Sequence, residues 1–285
     1  MKFYYALFIL LFSTQVFANT TYTLQASFEG DTKSSYEYQA LKLALDKTQP
    51  HYGRYKLNIT NEPIPPKRYV VEANSDSLSN FIFVDSVNQS TLNQLSHANF
   101  PVMLGIIGYR VPLISTELKQ RGYQVDYPRD LRNFSMVQGR GWLDTDILKD
   151  NGFTVHTGKH IEGLFYMVAN ERADFFPIGA TQISNALDNF KHVKGLTVDD
   201  KTLLYYPLPR FFFMGKKHQQ KLIRIEEGLI HAYQDGSLQT LWRQHFQQAL
   251  DQIAIKQRKL FKLHNKFIEG INKEYEQYVY NPFVD

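Results

Sequence analysis

Short β-rich runs alternate with stretches of helical period along most of this chain. Positions 22–28 alternate apolar and polar residues and are broken by Gly30-Asp31, which predicts a strand and a loop. Apolar residues recur at helical spacing over 36–45, with Ser34 or Ser35 available as N-cap. A second strand is predicted over 55–59. Pro63, Pro65 and Pro66 then precede 68–73, which suits a helix with proline in its first turn. Positions 81–84 read as a buried strand that ends at Asp85.

A long apolar run over 102–114 carries Gly105, Gly108, Tyr109 and Arg110. Beyond it the alternation resumes, with strands over 134–137, 154–155 and 174–177 and helices over 142–150 and 161–170. A second apolar run, 203–213, is interrupted by Pro207 and Pro209. Helical patterns over 220–234 and 239–250 follow, separated by Asp235-Gly236-Ser237. Two α/β units joined by two extended apolar runs predict an α/β protein of two lobes, crossed twice, with a ligand cleft between them. On this reading the first lobe takes 19–107 and 206–250, and the second takes 108–205. A C-terminal extension, 251–285, packs on the first lobe.

Positions 1–18 break the pattern. Lys2, an almost unbroken apolar stretch over 3–12 and Val16-Phe17-Ala18 predict a secretory signal cleaved between Ala18 and Asn19. The stretch is shorter than the ~20 apolar residues a membrane span needs. The mature chain is therefore expected in the periplasm. Its 43% hydrophobic and 21% charged residues exclude wholesale disorder. A net charge of +4 with no dense basic run argues against nucleic acid as a partner. Cysteine is absent, which rules out thiol catalysis, thiolate metal sites and disulfides.

Candidate chemistry concentrates where strands end. Gly139-Arg140-Gly141 lies between a predicted strand and a helix start, where free N–H groups and an Arg fork suit a carboxylate or phosphate. The alternative is a tight turn with a solvated Arg140. Arg110, inside an apolar run, needs an anionic partner, either a ligand or an internal carboxylate. Glu29, Tyr36 and Asp85 flank strand exits that face the cleft in a two-lobed design; each also suits a loop or cap. Trp142 could stack on a ligand or pack across its lobe. His156 and His160 stand near Glu162, but Thr157-Gly158 breaks any helix that would align them, and no His-Glu-x-x-His or Gly-x-Ser-x-Gly occurs. No metal, cofactor or catalytic set is expected.

Several segments carry a family resemblance. They are 105–114 (Gly-Ile-Ile-Gly-Tyr-Arg-Val-Pro-Leu-Ile), 139–148 (Gly-Arg-Gly-Trp-Leu-Asp-Thr-Asp-Ile-Leu), 164–174, 206–213, 225–229 and 235–237. In this order they resemble the type 2 periplasmic solute-binding proteins, bacterial extracellular family 3, which include amino-acid-binding members. The resemblance implies a monomer whose lobes close on a small polar or anionic, amino-acid-like solute, for an ABC-type transporter permease or a receptor ectodomain. It places Glu29 and Tyr36 in the cleft from the first lobe, and Arg110 with the loop 139–142 from the second. Relatives tend to show Arg-Gly after the strand at 175–177 and a Glu downstream; here Ile178-Gly179 and Gln182 stand there. Carboxylate binding would then fall to Arg140 or Arg110. Two rival functions share the scaffold: a ligand-modulated partner of a membrane receptor, and a periplasmic dehydratase-like enzyme.

Overall fold

The computed structural model describes residues 19–75 and 77–284, so the predicted signal lies outside the described residues. In chain order the main elements are β1 (Thr20–Leu24), α1 (Tyr36–Tyr52), β2 (Tyr55–Ile59), α2 (Tyr69–Asn74), β3 (Phe81–Ser86), α3 (Gln89–Gln94) and β4 (Leu95–His97). The second half-pattern supplies β5 (Tyr109–Ser115), α4 (Thr116–Arg121), β6 (Met136–Gly139), α5 (Leu143–Asp150), β7 (Val155–Gly158), α6 (Ile161–Ala169), β8 (Phe176–Gly179), α7 (Ile183–Asn189) and β9 (Leu196–Val198). The chain ends through β10 (Thr202–Tyr205), β11 (Arg210–Gly215), α8 (Gln219–Gln234), α9 (Ser237–Gln252) and β12 (Lys259–Lys262). Among the described residues no helix is long and apolar enough to cross a membrane.

The first lobe is built on the sheet β2-β1-β3-β11-β4. Its first three strands run parallel, and β11 returns antiparallel between β3 and β4. Ser35 caps α1 by accepting from the Tyr38 N–H at 3.3 Å. The helix runs past the expected Leu45 to Tyr52, through Pro50, because its apolar face has a continuous partner in α8. That contact is close: a Cβ on Gly228 would lie 2.1 Å from the Ala44 carbonyl oxygen. Arg224, 2% exposed, pins the end of α1 by donating to Thr48 Oγ1 at 3.2 Å and to the Gly53 carbonyl at 2.8 Å.

The second lobe carries β12-β10-β5-β8, with β9 also on β5 and the parallel pair β6-β7 bridged to the sheet through Met136 and Phe175. The chain passes between lobes just before β5 and just after β10. The apolar run at 102–114 is not one strand. Leu104 and Gly105 adopt left-handed backbone, Ile106–Gly108 forms a 3-10 turn, and extended structure begins only at Tyr109. Hydrophobic composition cannot register such a turn when both of its flanks are buried.

The C-terminal segment was expected on the first lobe and in fact touches both. β12 adds a parallel strand to β10 in the second lobe, and Asn265 Nδ2 donates to the Pro207 carbonyl at 2.7 Å. The chain then turns back, and Ile268, Ile271 and Tyr275 join the first-lobe cluster around Phe81, Phe83, Phe211 and Phe213. The segment thus adds a third and a fourth covalent passage between the lobes, out to β12 after α9 and back before Ile268.

Candidate functional site

Two adjoining cavities occupy the cleft, of about 420 and 430 Å³, and share Glu29, Gln182 and Arg210 in their walls. The first reaches into the second lobe. Phe165 on α6 and Phe176 on β8, both buried, form its apolar floor with Phe190, and Ile178 flanks them. Uncharged amides border this wall: Gln138, Gln182, Asn185 and Asn189. Gln138 is 1% exposed; its Nε2 donates to the Pro177 carbonyl at 2.6 Å and its Oε1 has no partner. The second cavity lies along the first lobe, from the end of β1 to Tyr69 and Glu37.

Arg110 lines the cavity, but its charge is committed. Its Nη2 lies 2.7 Å from Asp144 Oδ1, and its Nε donates to Asp144 at 2.8 Å and to the Tyr206 hydroxyl at 2.9 Å. The Tyr206 hydroxyl in turn donates to Asp144. Burial opposes the Arg110 charge, but the Asp144 carboxylate and Tyr206 outweigh it and hold its pKa above the ordinary arginine value. Of the two readings of Arg110, the internal ion pair is the one observed.

The glycine loop is not an open anion cradle. Gly139 is the last residue of β6, so the strand is displaced from the expected 134–137. The Arg140 N–H donates to the Gly158 carbonyl at 2.8 Å, and the Trp142 N–H donates to Gly139 at 3.1 Å. These two donors are satisfied within the lobe, and the Arg140 side chain is exposed and outside both cavity walls. Gly139 serves Trp142 instead: a Cβ there would lie 2.2 Å from Cε2 of the indole. Trp142 is 39% exposed and lines the first cavity.

Glu29 lines both cavities. Tyr36, expected beside it, is 3% exposed and belongs to the core. Its hydroxyl donates to the Val102 carbonyl at 2.8 Å, and its ring packs on Phe246 at 5.0 Å. The first turn of α1 points this residue inward, toward α9. Asp85 also stays out of both cavity walls, accepting from the Ser86 N–H at 2.7 Å. Burial raises its pKa, against the pull of Arg210 and that N–H.

The residue that sequence reasoning missed is Arg210, the first of β11. It lines both cavities, with its side chain 28% exposed. Its Nη2 donates to the Val84 carbonyl at 3.1 Å, and its Nη1 lies 3.9 Å from Glu37. Its Nε is buried without a hydrogen-bond partner. The signal that flagged Arg110, a guanidinium inside an apolar run, is equally present at 203–213 and would have found it. Ile178 and Gln182, the two departures from the family pattern, line the first cavity, as does Gly179 between them. Among the described residues no cluster of His, Cys, Asp and Glu could hold a metal ion.

No family model matches the sequence, and no curated protein matches it. Solved structures do match the fold. The Bacillus subtilis protein YckB superposes with a TM-score of 0.55 at 13% identity, over 86% of this chain and 96% of its own. A Salmonella typhimurium periplasmic binding protein of high arginine specificity gives 0.52 at 14% identity, over 80% and 100%. A histidine kinase sensor domain with similarity to periplasmic binding proteins gives 0.53 at 9% identity, over 80% and 95%. The two sheets, the crossings between them and the cleft they enclose are those of the two-lobed type 2 periplasmic-binding fold.

Proposed function

We propose that this protein is exported to the periplasm through a cleaved signal and captures a small, polar, amino-acid-like solute between its lobes. The lobes close on the solute, which a membrane transporter or a sensor then reads. The observation that carries this reading is the charge layout of the cleft. Arg110 and Asp144 cancel, and the remaining wall of the second lobe is apolar or amide. That leaves Arg210 as the cation for a ligand carboxylate, with Glu29 and Glu37 beside it for an ammonium group. Two carboxylates beside one guanidinium, whose Nη1 already lies 3.9 Å from Glu37, disfavour a plain anion, so the ligand is a zwitterion rather than a dicarboxylate. Its remaining portion lies against Phe165, Phe176 and Phe190. The solved structures of the same fold described above include a binding protein and a sensor domain, which supports a binding role. Calorimetric titration of the mature chain with non-aromatic amino acids and with dicarboxylates tests the reading. Amino acids should bind and dicarboxylates should not; the reverse order would overturn it.

A further inference from the structure

A third cavity lies behind the hinge, and it shares no lining residue with the two in the cleft. Tyr109 and Tyr205 are register partners where β5 and β10 meet, with ring centroids 4.5 Å apart. The C-terminal segment is held across their back. The Tyr280 N–H donates to the Leu104 carbonyl at 2.8 Å, and the Tyr109 hydroxyl donates to the Tyr280 carbonyl at 3.3 Å. Val279 sits directly on Gly105, where a Cβ would come within 2.7 Å of its Cγ1. Between this segment and the crossing strands is a space of about 520 Å³. That is the size range of small-molecule sites, roughly 300–1,000 Å³.

The walls specify a chemistry. Tyr205 and Tyr280, half-buried and backed by the buried Tyr109 and Tyr275, present aromatic surface, which favours a stacked ring and attracts an ammonium group to its π-faces. Lys262 on β12 and Glu276 on the C-terminal segment line the same space, are exposed, and form no ion pair among the described residues. The Tyr275 hydroxyl, on a residue 2% exposed, has no hydrogen-bond partner beside it. A ligand with one charge meets one favourable and one unfavourable wall charge; a zwitterion answers both. We propose that this cavity is a second ligand site, for an aromatic zwitterion of the size of an aromatic amino acid. The ring stacks on Tyr205, which Tyr109 backs, the carboxylate meets Lys262 and the ammonium group meets Glu276. Lys262 belongs to a second-lobe strand and Glu276 to the segment packed on the first lobe, so the bound ligand spans the hinge.

The site is independent of the cleft, and the test keeps the two apart. The mature chain and its Arg210→Ala variant are titrated calorimetrically with L-phenylalanine, 2-phenylethylamine and 3-phenylpropanoate. In Arg210→Ala, where the cleft has lost its carboxylate-reading group, L-phenylalanine should still bind at this site, and each single-charge analogue about tenfold or more weaker. Lys262→Ala and Glu276→Gln, both at exposed positions that leave the fold intact, should each weaken phenylalanine about tenfold. Lys262→Ala should strengthen phenylethylamine, and Glu276→Gln should strengthen phenylpropanoate, because each removes the one wall charge that opposes that analogue. Absence of binding at about 10 mM phenylalanine would overturn the proposal. So would binding that Arg210→Ala abolishes and the Lys262 and Glu276 variants do not affect, since that ligand would sit in the cleft.

Discussion

Arg110 and Asp144 form a buried ion pair, Nη2 to Oδ1 at 2.7 Å, that ties the crossing strand β5 to the first turn of α5. Both side chains are largely shielded, at 8% and 16% exposure, and the Tyr206 hydroxyl bonds to each. The pair turns a cation that would otherwise face the ligand into part of the scaffold. On the function proposed above, a ligand carboxylate is then left to Arg210 on the opposite lobe, which lines both cleft cavities.

Asp144→Ala should strand the Arg110 guanidinium and lower stability by about 3–5 kcal/mol, the usual cost of removing one partner of a buried pair. The double variant Arg110→Met, Asp144→Leu should recover most of that loss, because no unpaired charge remains. Urea unfolding of the three proteins measures both effects. A double variant as unstable as the single one would mean that the pair does more than neutralise itself.

The two tryptophans report on different places. Trp242 is 2% exposed and its indole N–H donates to the Met103 carbonyl at 3.1 Å, whereas Trp142 is 39% exposed at the cleft. Ligand capture should shift emission through Trp142 alone. Trp142→Phe should therefore leave a blue, ligand-insensitive spectrum, and Trp242→Phe should keep the ligand response.

Gly228→Ala should destabilise the first lobe. Its Cβ would meet the Ala44 carbonyl at 2.1 Å, forcing α1 and α8 apart at a cost of at least about 1–3 kcal/mol. Thermal melting reads the loss. An unchanged melting temperature would show that the two helices separate freely.

Much of the fold was legible because its strands and helices announce themselves by period. Both crossing runs, the helix cap at Ser35 and the sequence of α/β units follow from spacing and turn residues alone. The site was less legible, because orientation within an element is decided by partners distant in sequence. Tyr36 falls on the inward side of α1 only because α9 lies there, and Arg140 is solvent-facing only because β7 takes its N–H. Arg110 could be recognised as needing an anion, but Asp144 as that anion depends on how α5 docks on β6 and β7. β12 pairs with a strand far upstream, a match that its short, charged sequence does not advertise.

Acidification should destabilise the protein through His97. Burial holds its imidazole below the ordinary value of 6.5, and its ring stacks on Phe211 at 5.1 Å. A depressed histidine binds fewer protons folded than unfolded, so its contribution is intact above 6.5 and is lost as pH falls through and below it. His245, lowered in the same way, adds to the trend. Asp85 and Glu226, raised by burial, act in the opposite sense at lower pH. His97→Phe keeps the stacking and removes the titration. The gap in stability between it and the wild type should widen from pH 7.5 to pH 5, and a constant gap would contradict the assignment.

The most direct test of the central claim is a thermal melt of the mature chain and Arg210→Ala with a panel of non-aromatic amino acids. A cognate solute at about 100 times its dissociation constant should stabilise the wild type by about 2.7 kcal/mol. The shift should disappear in Arg210→Ala and return in part in Arg210→Lys, which keeps the charge and loses the fork. A solute that stabilises Arg210→Ala as well as the wild type, or a panel in which no zwitterion stabilises the wild type, would contradict the account.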